Sequence, residues 1–194
     1  EKPVLIDDKE YDGPQGPAFW DPHRKEYRAY LRGWASGDGE EVSQMKHIPE
    51  DLYVQLEQPE ANRGQWRTVR YTTSKDFVHW TRPALVQFDV PLSLDEQLYT
   101  NGVHPYYRAP HIYIGLPKRF APFRHKVLEH SMPGVSDGGF MTSRNGVQWK
   151  LWREAFIRPG LDRKNWVNRN NMPAFGVLET DLGEMSVYWM EHVK

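Results

Sequence analysis

The chain has 194 residues, with 25 Lys+Arg against 26 Asp+Glu, 13% aromatic residues, 15 Gly, 15 Pro and no Cys. The net charge of −1 supplies no global basic field for nucleic acid or an anionic membrane. No apolar stretch has the length of a membrane-spanning helix, and without Cys there are neither disulfides nor thiolate metal sites.

Short apolar runs broken by Gly and Pro predict an all-β chain of many strands and turns. At this size one domain is expected. Residues 1 to 17 read as an irregular approach containing Asp7, Asp8 and Asp12. Ala18-Phe19-Trp20 then forms a short strand that stops at the turn pair Asp21-Pro22, and Glu26 to Arg32 alternates as a second strand. Between Gly33 and Gln65 the charges, prolines and Asp38-Gly39 predict a long decorated loop with an apolar patch at Leu52-Tyr53-Val54. Trp66 to Thr73 is predicted as a third strand, and Trp80 to Phe88 contains the fourth.

The order then recurs. Val103 to Tyr107 precedes the alternating His111 to Gly115, followed by a charged loop, a Thr-Ser turn and the strand Lys150 to Phe156. A third unit opens at Asn171 to Val177 and continues through Ser186 to Met190. Two turns carry the repeat. Thr73-Ser74-Lys75-Asp76-Phe77-Val78-His79-Trp80 and Thr142-Ser143-Arg144-Asn145-Gly146-Val147-Gln148-Trp149 share Thr, Ser, a basic residue, Asp or Asn, Val and Trp, at a spacing of 69 residues. In each, the Asp or Asn side chain can accept backbone N–H bonds of a tight turn, and the Trp ring can return to pack on the strand it left. Pro22 to Pro105 and Tyr30 to Tyr113 are 83 apart, which predicts an internal loop 14 residues shorter in the second unit. Repeated four-stranded antiparallel units are propeller blades, which need neighbours to cover both faces. The expected organisation is residues 1 to 194 as part of one β-propeller domain, with units at about 18–88, 103–157 and 171–194. Two and a half blades do not close a ring, so a fragment of a longer chain is expected, and a more open arrangement such as a sandwich is the alternative.

The two turns resemble the Ser-x-Asp-x-x-x-Trp hairpins of five-bladed propeller glycosidases, the class of glycoside hydrolase families 32, 43 and 68. They are also similar to the Asp boxes of sialidases, though one residue shorter. The runs Asp95 to Tyr99, Tyr107 to Tyr113, and Arg158 to Asp162 with Asn171 resemble uncharacterised bacterial family 32-like proteins. The resemblance implies working carboxylates where the innermost strand of each blade begins, aimed at one axial pocket. Matching positions here are Asp12, then Asn101 with His104, then Arg169-Asn170-Asn171; the second and third openings carry Asn where the families usually place an acid.

Glycoside hydrolysis commonly uses two carboxyls. The candidates are Asp12, Glu96, Asp137 and Glu191. Each has a structural alternative: Asp12 and Asp137 precede Gly and suit turns, Glu96 suits a solvated loop, and Glu191 ends an aromatic strand. Asn101, His104, Arg108, Arg169, Asn170 and Asn171 offer the paired donors and acceptors that sugar hydroxyls match, against the alternative of polar loops and a packed His. Neither a metal nor an organic cofactor is expected, since the His125-Glu129-His130 spacing makes no tight metal site. The expected activity is glycosyl hydrolysis or transfer on an oligo- or polysaccharide. The alternatives are a non-catalytic glycan-binding propeller and a protein-interaction scaffold. The expected partners are a carbohydrate and the remaining blades of the parent chain, with no nucleic acid and no membrane, and the expected location is secreted or periplasmic.

Overall fold

The computed structural model describes residues 11–12, 16–36, 65–90, 92, 96–127 and 134–192. The fold is all-β and propeller-like, and among the described residues the only helical element is a single 3-10 turn, Arg163–Asn165.

The first sheet contains β1 (Tyr11–Asp12), β2 (Ala18–Asp21), β3 (Glu26–Ser36), β4 (Gln65–Ser74) and β5 (Ala84–Leu85). β1 and β2 pair with successive stretches of the same edge of β3, so together they act as one interrupted strand. β3 pairs antiparallel with β4 along its whole length, and β4 pairs with β5. In β4, Trp66, Thr68, Val69, Thr72 and Ser74 are buried while Arg67, Arg70, Tyr71 and Thr73 are partly exposed, so the period-two alternation of a strand lying on a core holds at both ends and shifts at Val69–Arg70.

The second sheet repeats this plan. β7 (Gln97–Leu98) and β8 (His104–Tyr106) form the interrupted first strand, β9 (Ala109–Gly115) and β10 (Lys118–Ala121) the interrupted second, followed by β11 (Val135–Ser143) and β12 (Gln148–Ile157). β6 (Gln87–Phe88) joins β12 in parallel. The third unit contains β13 (Met172–Pro173), β14 (Leu178–Asp181), β15 (Glu184–Ser186) and β16 (Trp189–Met190), with β13 paired to β16 and β14 to β15.

Four differences from the sequence reading have physical causes. The expected fourth strand splits between the sheets, because Val86 N donates to Val69 O whereas Gln87 N and Asp89 N donate to Val147 O and Trp149 O. β3 runs on to Ser36, beyond the Gly33 chosen as the loop start, because every residue from Tyr27 to Ser36 has a partner on β4. The remaining loop residues 37–64, including Leu52-Tyr53-Val54, lie outside the described residues. The charged stretch after Gly115 holds a strand, since Lys118 to Ala121 pair with Gly138 to Val135. Finally, Tyr27 faces Ser74 and Tyr113 faces Ser143, so the register equates Tyr27, not Tyr30, with Tyr113. The spacing is therefore 86, and the first unit carries 17 more residues between these strands, not 14.

The core lies between the two large sheets, where Tyr30, Val69, Leu98, Val103, Tyr113, Met141 and Trp149 pack together. The Tyr30 ring meets Trp149 edge-on at 5.8 Å and Tyr113 at 6.5 Å. The two Trp turns have the same internal bonding. Asp76 Oδ1 accepts from Val78 N at 2.9 Å and His79 N at 2.8 Å, and Asn145 Oδ1 accepts from Val147 N at 2.9 Å and Gln148 N at 2.8 Å. Their surroundings differ. The first turn is largely exposed, whereas first-sheet side chains grip the second: Tyr30 donates to Gly146 O at 2.9 Å, Arg28 to Asn145 O at 3.0 Å and Arg24 to Arg144 O at 2.6 Å.

Candidate functional site

The breaks in the interrupted strands bring polar side chains together. Tyr99 leaves β7 with its N–H donating to Lys118 O at 2.8 Å, and Lys118 N donates to Thr100 Oγ1 at 2.8 Å. These bonds set Lys118 beside the Tyr99 ring, with Nζ 4.6 Å from its centroid. The guanidinium carbons of Arg32 and Arg67 lie 4.6 and 5.6 Å from the same centroid. The electron-rich face of the phenol favours such cations, each by about 0.5–2 kcal/mol depending on exposure.

The segment before β13 closes the cluster. Asn168 Oδ1 accepts from Lys118 Nζ at 3.1 Å, Ser136 Oγ at 3.2 Å and Arg169 N at 2.7 Å. Arg169 has φ 75, a left-handed conformation that costs a non-glycine residue about 1–2 kcal/mol. Lys118 is only 3% exposed. Burial pushes its ammonium down to about 7, and the neighbouring Arg67, Arg169 and Arg32 press in the same direction. Among the described residues, no carboxylate pairs with Lys118.

The candidate carboxylates fall elsewhere. Glu96 and Asp137 are brought together, but around one guanidinium. Arg119 Nε and Nη2 bind the two Asp137 oxygens at 2.7 and 3.0 Å, and Arg119 Nη1 donates to Glu96 Oε1 at 2.8 Å. Arg124 adds a bond to Asp137 at 2.7 Å, and Arg153 pairs with Glu96. Both acids are thus surrounded by cationic donors. Glu191 is exposed and accepts from Trp189 Nε1 at 2.9 Å. Asp12 sits on β1 with its backbone opposite Arg32, and its side chain lies outside the described residues.

The candidate binding residues are mostly committed to the main chain. Asn101 donates to Tyr30 O at 3.1 Å and accepts from Val103 N at 3.1 Å. Asn170 donates to Lys164 O at 2.6 Å, and Asn171 to Ser136 O and Asn165 O at 2.8 and 3.0 Å. His104 Nδ1 lies 2.9 Å from Gly102 O and Nε2 accepts from Val177 N at 3.2 Å, which sets the Nδ1–H tautomer. Burial pushes this imidazole below its ordinary pKa, and the Gly102 bond opposes the shift. Arg108 is exposed over the Tyr107 ring in the turn joining β8 to β9. Arg169 belongs to the cluster.

Sequence reasoning missed Tyr99, Lys118 and Asn168. Lys118 sits in a run of charges that reads as solvated, and only the pairing of β10 with β7 and β11 shows it is buried. A groove of about 720 Å³ runs beside the second turn between Phe88, Ile112, Asn145 and Trp149, and none of the candidate carboxylates lines it. Among the described residues, no three His, Asp or Glu side chains are grouped to hold a metal.

No protein-family model matches the chain, and no curated protein does. Among solved structures, the chain is similar to an N-acetylgalactosamine deacetylase from F. plautii, determined in complex with blood group B trisaccharide, with TM-score 0.58 and 16% identity over 96% of this chain and 42% of that one. It is also similar to a glycosyl hydrolase from Bacteroides ovatus, with TM-score 0.48 and 13% identity over 90% of this chain and 42% of that one. The chain spans about two fifths of the length of either structure. At 16% identity the first likeness is one of fold alone.

Proposed function

We propose that this chain forms part of a propeller-type carbohydrate-active protein and that the Tyr99–Lys118–Asn168 cluster holds its glycan. The observation that carries the reading is a buried ammonium with a single hydrogen-bond acceptor, beside an aromatic ring, at the breaks where interrupted strands converge. Perturbed ionisable groups in such places mark functional sites more often than chance. A half-buried phenol suits a sugar face, and the neighbouring amides and cations suit its hydroxyls. The F. plautii enzyme, seen with a trisaccharide, supports this reading by fold alone.

For the chemistry we assign Asp12. Its backbone register puts it opposite Arg32, whose guanidinium lies over Tyr99. Hydrolysis uses a second carboxyl roughly 5 to 10 Å away. Since Glu96 and Asp137 are held in the Arg119 clamp, we place that second acid in further blades of a longer parent chain. The same clamp favours a second reading, glycan binding without catalysis.

The test is hydrolysis of a panel of aryl glycosides and polysaccharides, with binding measured in parallel, by the full-length parent protein and its Asp12→Asn variant. Hydrolysis lost with binding kept supports the enzyme. Hydrolysis unchanged by the substitution removes Asp12 from the mechanism, and failure to bind any glycan overturns the whole reading.

A further inference from the structure

The two Trp turns share their internal bonding but not their cover, and the difference falls on three equivalent positions. In the second unit Tyr113, Gly146 and Trp149 are buried, and the first sheet covers them. The Phe19 and Tyr30 rings lie 6.1 and 6.5 Å from that of Tyr113, while Arg28 and Tyr30 hold the turn. Strand register and turn spacing put Tyr27, Phe77 and Trp80 at those positions in the first unit. There they stand at the surface. Phe77 is 44% exposed and its neighbour Trp20 45%, with Tyr27 and Trp80 half-buried. The four rings form one run, Trp20 to Tyr27 at 4.8 Å, Tyr27 to Phe77 at 5.0 Å and Phe77 to Trp80 at 5.5 Å, each edge to face. Contiguous exposed rings mark interaction surfaces, whereas scattered ones do not. Phe77 also keeps φ 66, unusual for a bulky side chain, where the Gly of the second turn would be free of strain. Its ring is retained in spite of the backbone.

We infer that this aromatic run seats a further β-sheet of the parent chain, which packs on the first unit as the first sheet packs on the second. The surface is separate from the Lys118 cluster and depends on the propeller-like plan alone, in which each sheet covers its neighbour. The same strand and turn positions are already an interface one unit further along the chain. Phe77 restricts what the incoming sheet presents. A Cβ at position 146 would run into Arg28 and Tyr30, so a face with long side chains at that point does not fit over Phe77. Phe77 O is already taken by Trp80 Nε1 at 3.0 Å. The incoming face therefore offers an apolar hollow to the Phe77 and Trp20 rings. Its rim carries donors for the carbonyls of exposed Lys75 and Asp76, the counterparts of those held by Arg24 and Arg28.

The experiment is hydroxyl-radical footprinting, read by mass spectrometry, of the full-length parent and of the 194-residue chain. The expected result is that Trp20 and Phe77 are labelled about tenfold more slowly in the parent, near the rate of buried Trp149, because the centre of an interface excludes water. Phe77→Asn suits the left-handed turn and removes the ring. It is expected to raise Trp20 labelling several-fold in the parent and to leave it unchanged in the 194-residue chain, with folding checked by circular dichroism. Equal labelling of Trp20 and Phe77 in the two proteins would overturn the inference. Protection that appears in the 194-residue chain as its concentration rises would assign the face to a second copy and overturn it as well.

Discussion

Substituting Gly146 by Ala separates backbone strain from the packing between sheets. Gly146 has φ +76, and a Cβ there would run into Arg28 Nη1 and Tyr30 Oη and lie 3.1 Å from Tyr113 Cε2. Those first two atoms hold the second turn by donating to Asn145 O and Gly146 O. The left-handed conformation alone costs Ala about 1 kcal/mol relative to Gly. Displacing the packed neighbours costs about 1–3 kcal/mol more, and weakening the Tyr30 bond about 1. Gly146→Ala should therefore lose about 3–5 kcal/mol. Gly160 is the control, with φ +68 and nothing within 4 Å of its would-be Cβ, so Gly160→Ala should lose only about 1 kcal/mol. Phe77 holds the equivalent position of the exposed turn at φ 66, so this turn does not by itself demand glycine. Urea denaturation and thermal melts of both variants measure the difference, about 2–4 °C per kcal/mol at this chain length. Equal losses for the two variants would refute the argument that first-sheet side chains press on this turn.

Two further predictions concern buried charge. Below pH 7 Lys118 is protonated in both folded and unfolded chains, and the burial penalty is felt in full. Between about 7 and 10.5 the unfolded chain holds a proton that the folded one does not, so stability rises with pH. Relative to Lys118→Met, the wild type should gain about 2–3 kcal/mol between pH 7 and 9 in urea titrations, and a constant difference would contradict the burial of a neutral-leaning lysine. Arg119→Met removes the cation shared by Glu96 and Asp137 but leaves Arg153 on the first and Arg124 on the second, and a loss of about 2–3 kcal/mol is expected. Adding Asp137→Leu should recover part of it, and additive losses in the double-mutant cycle would argue against the clamp.

Much of the architecture is legible along the chain because strands declare themselves locally. The alternation in β3, β4 and β12 and the Ser-x-Asp/Asn turns depend on near neighbours, so residue type and spacing suffice to find them. The all-β propeller-like plan follows from their repetition. The Tyr30–Tyr113 equivalence, in contrast, fails by three residues, since aromatic spacing is a weaker ruler than the hydrogen-bond register.

The candidate site depends on distance in space, and there the amino-acid string is nearly silent. Nothing local distinguishes Lys118 or Arg119 from solvated bases, nor Glu96 and Asp137 from acids available for chemistry. Only the pairing of β10 between β7 and β11 buries the first two, and it joins both acids through one guanidinium. Local residue pattern determined that this chain makes turns, strands and repeated sheets, because those bonds close within a few residues. Which charges meet, and which are sealed from water, was decided by tertiary contact, because electrostatic energy depends on neighbours that folding brings from far along the chain.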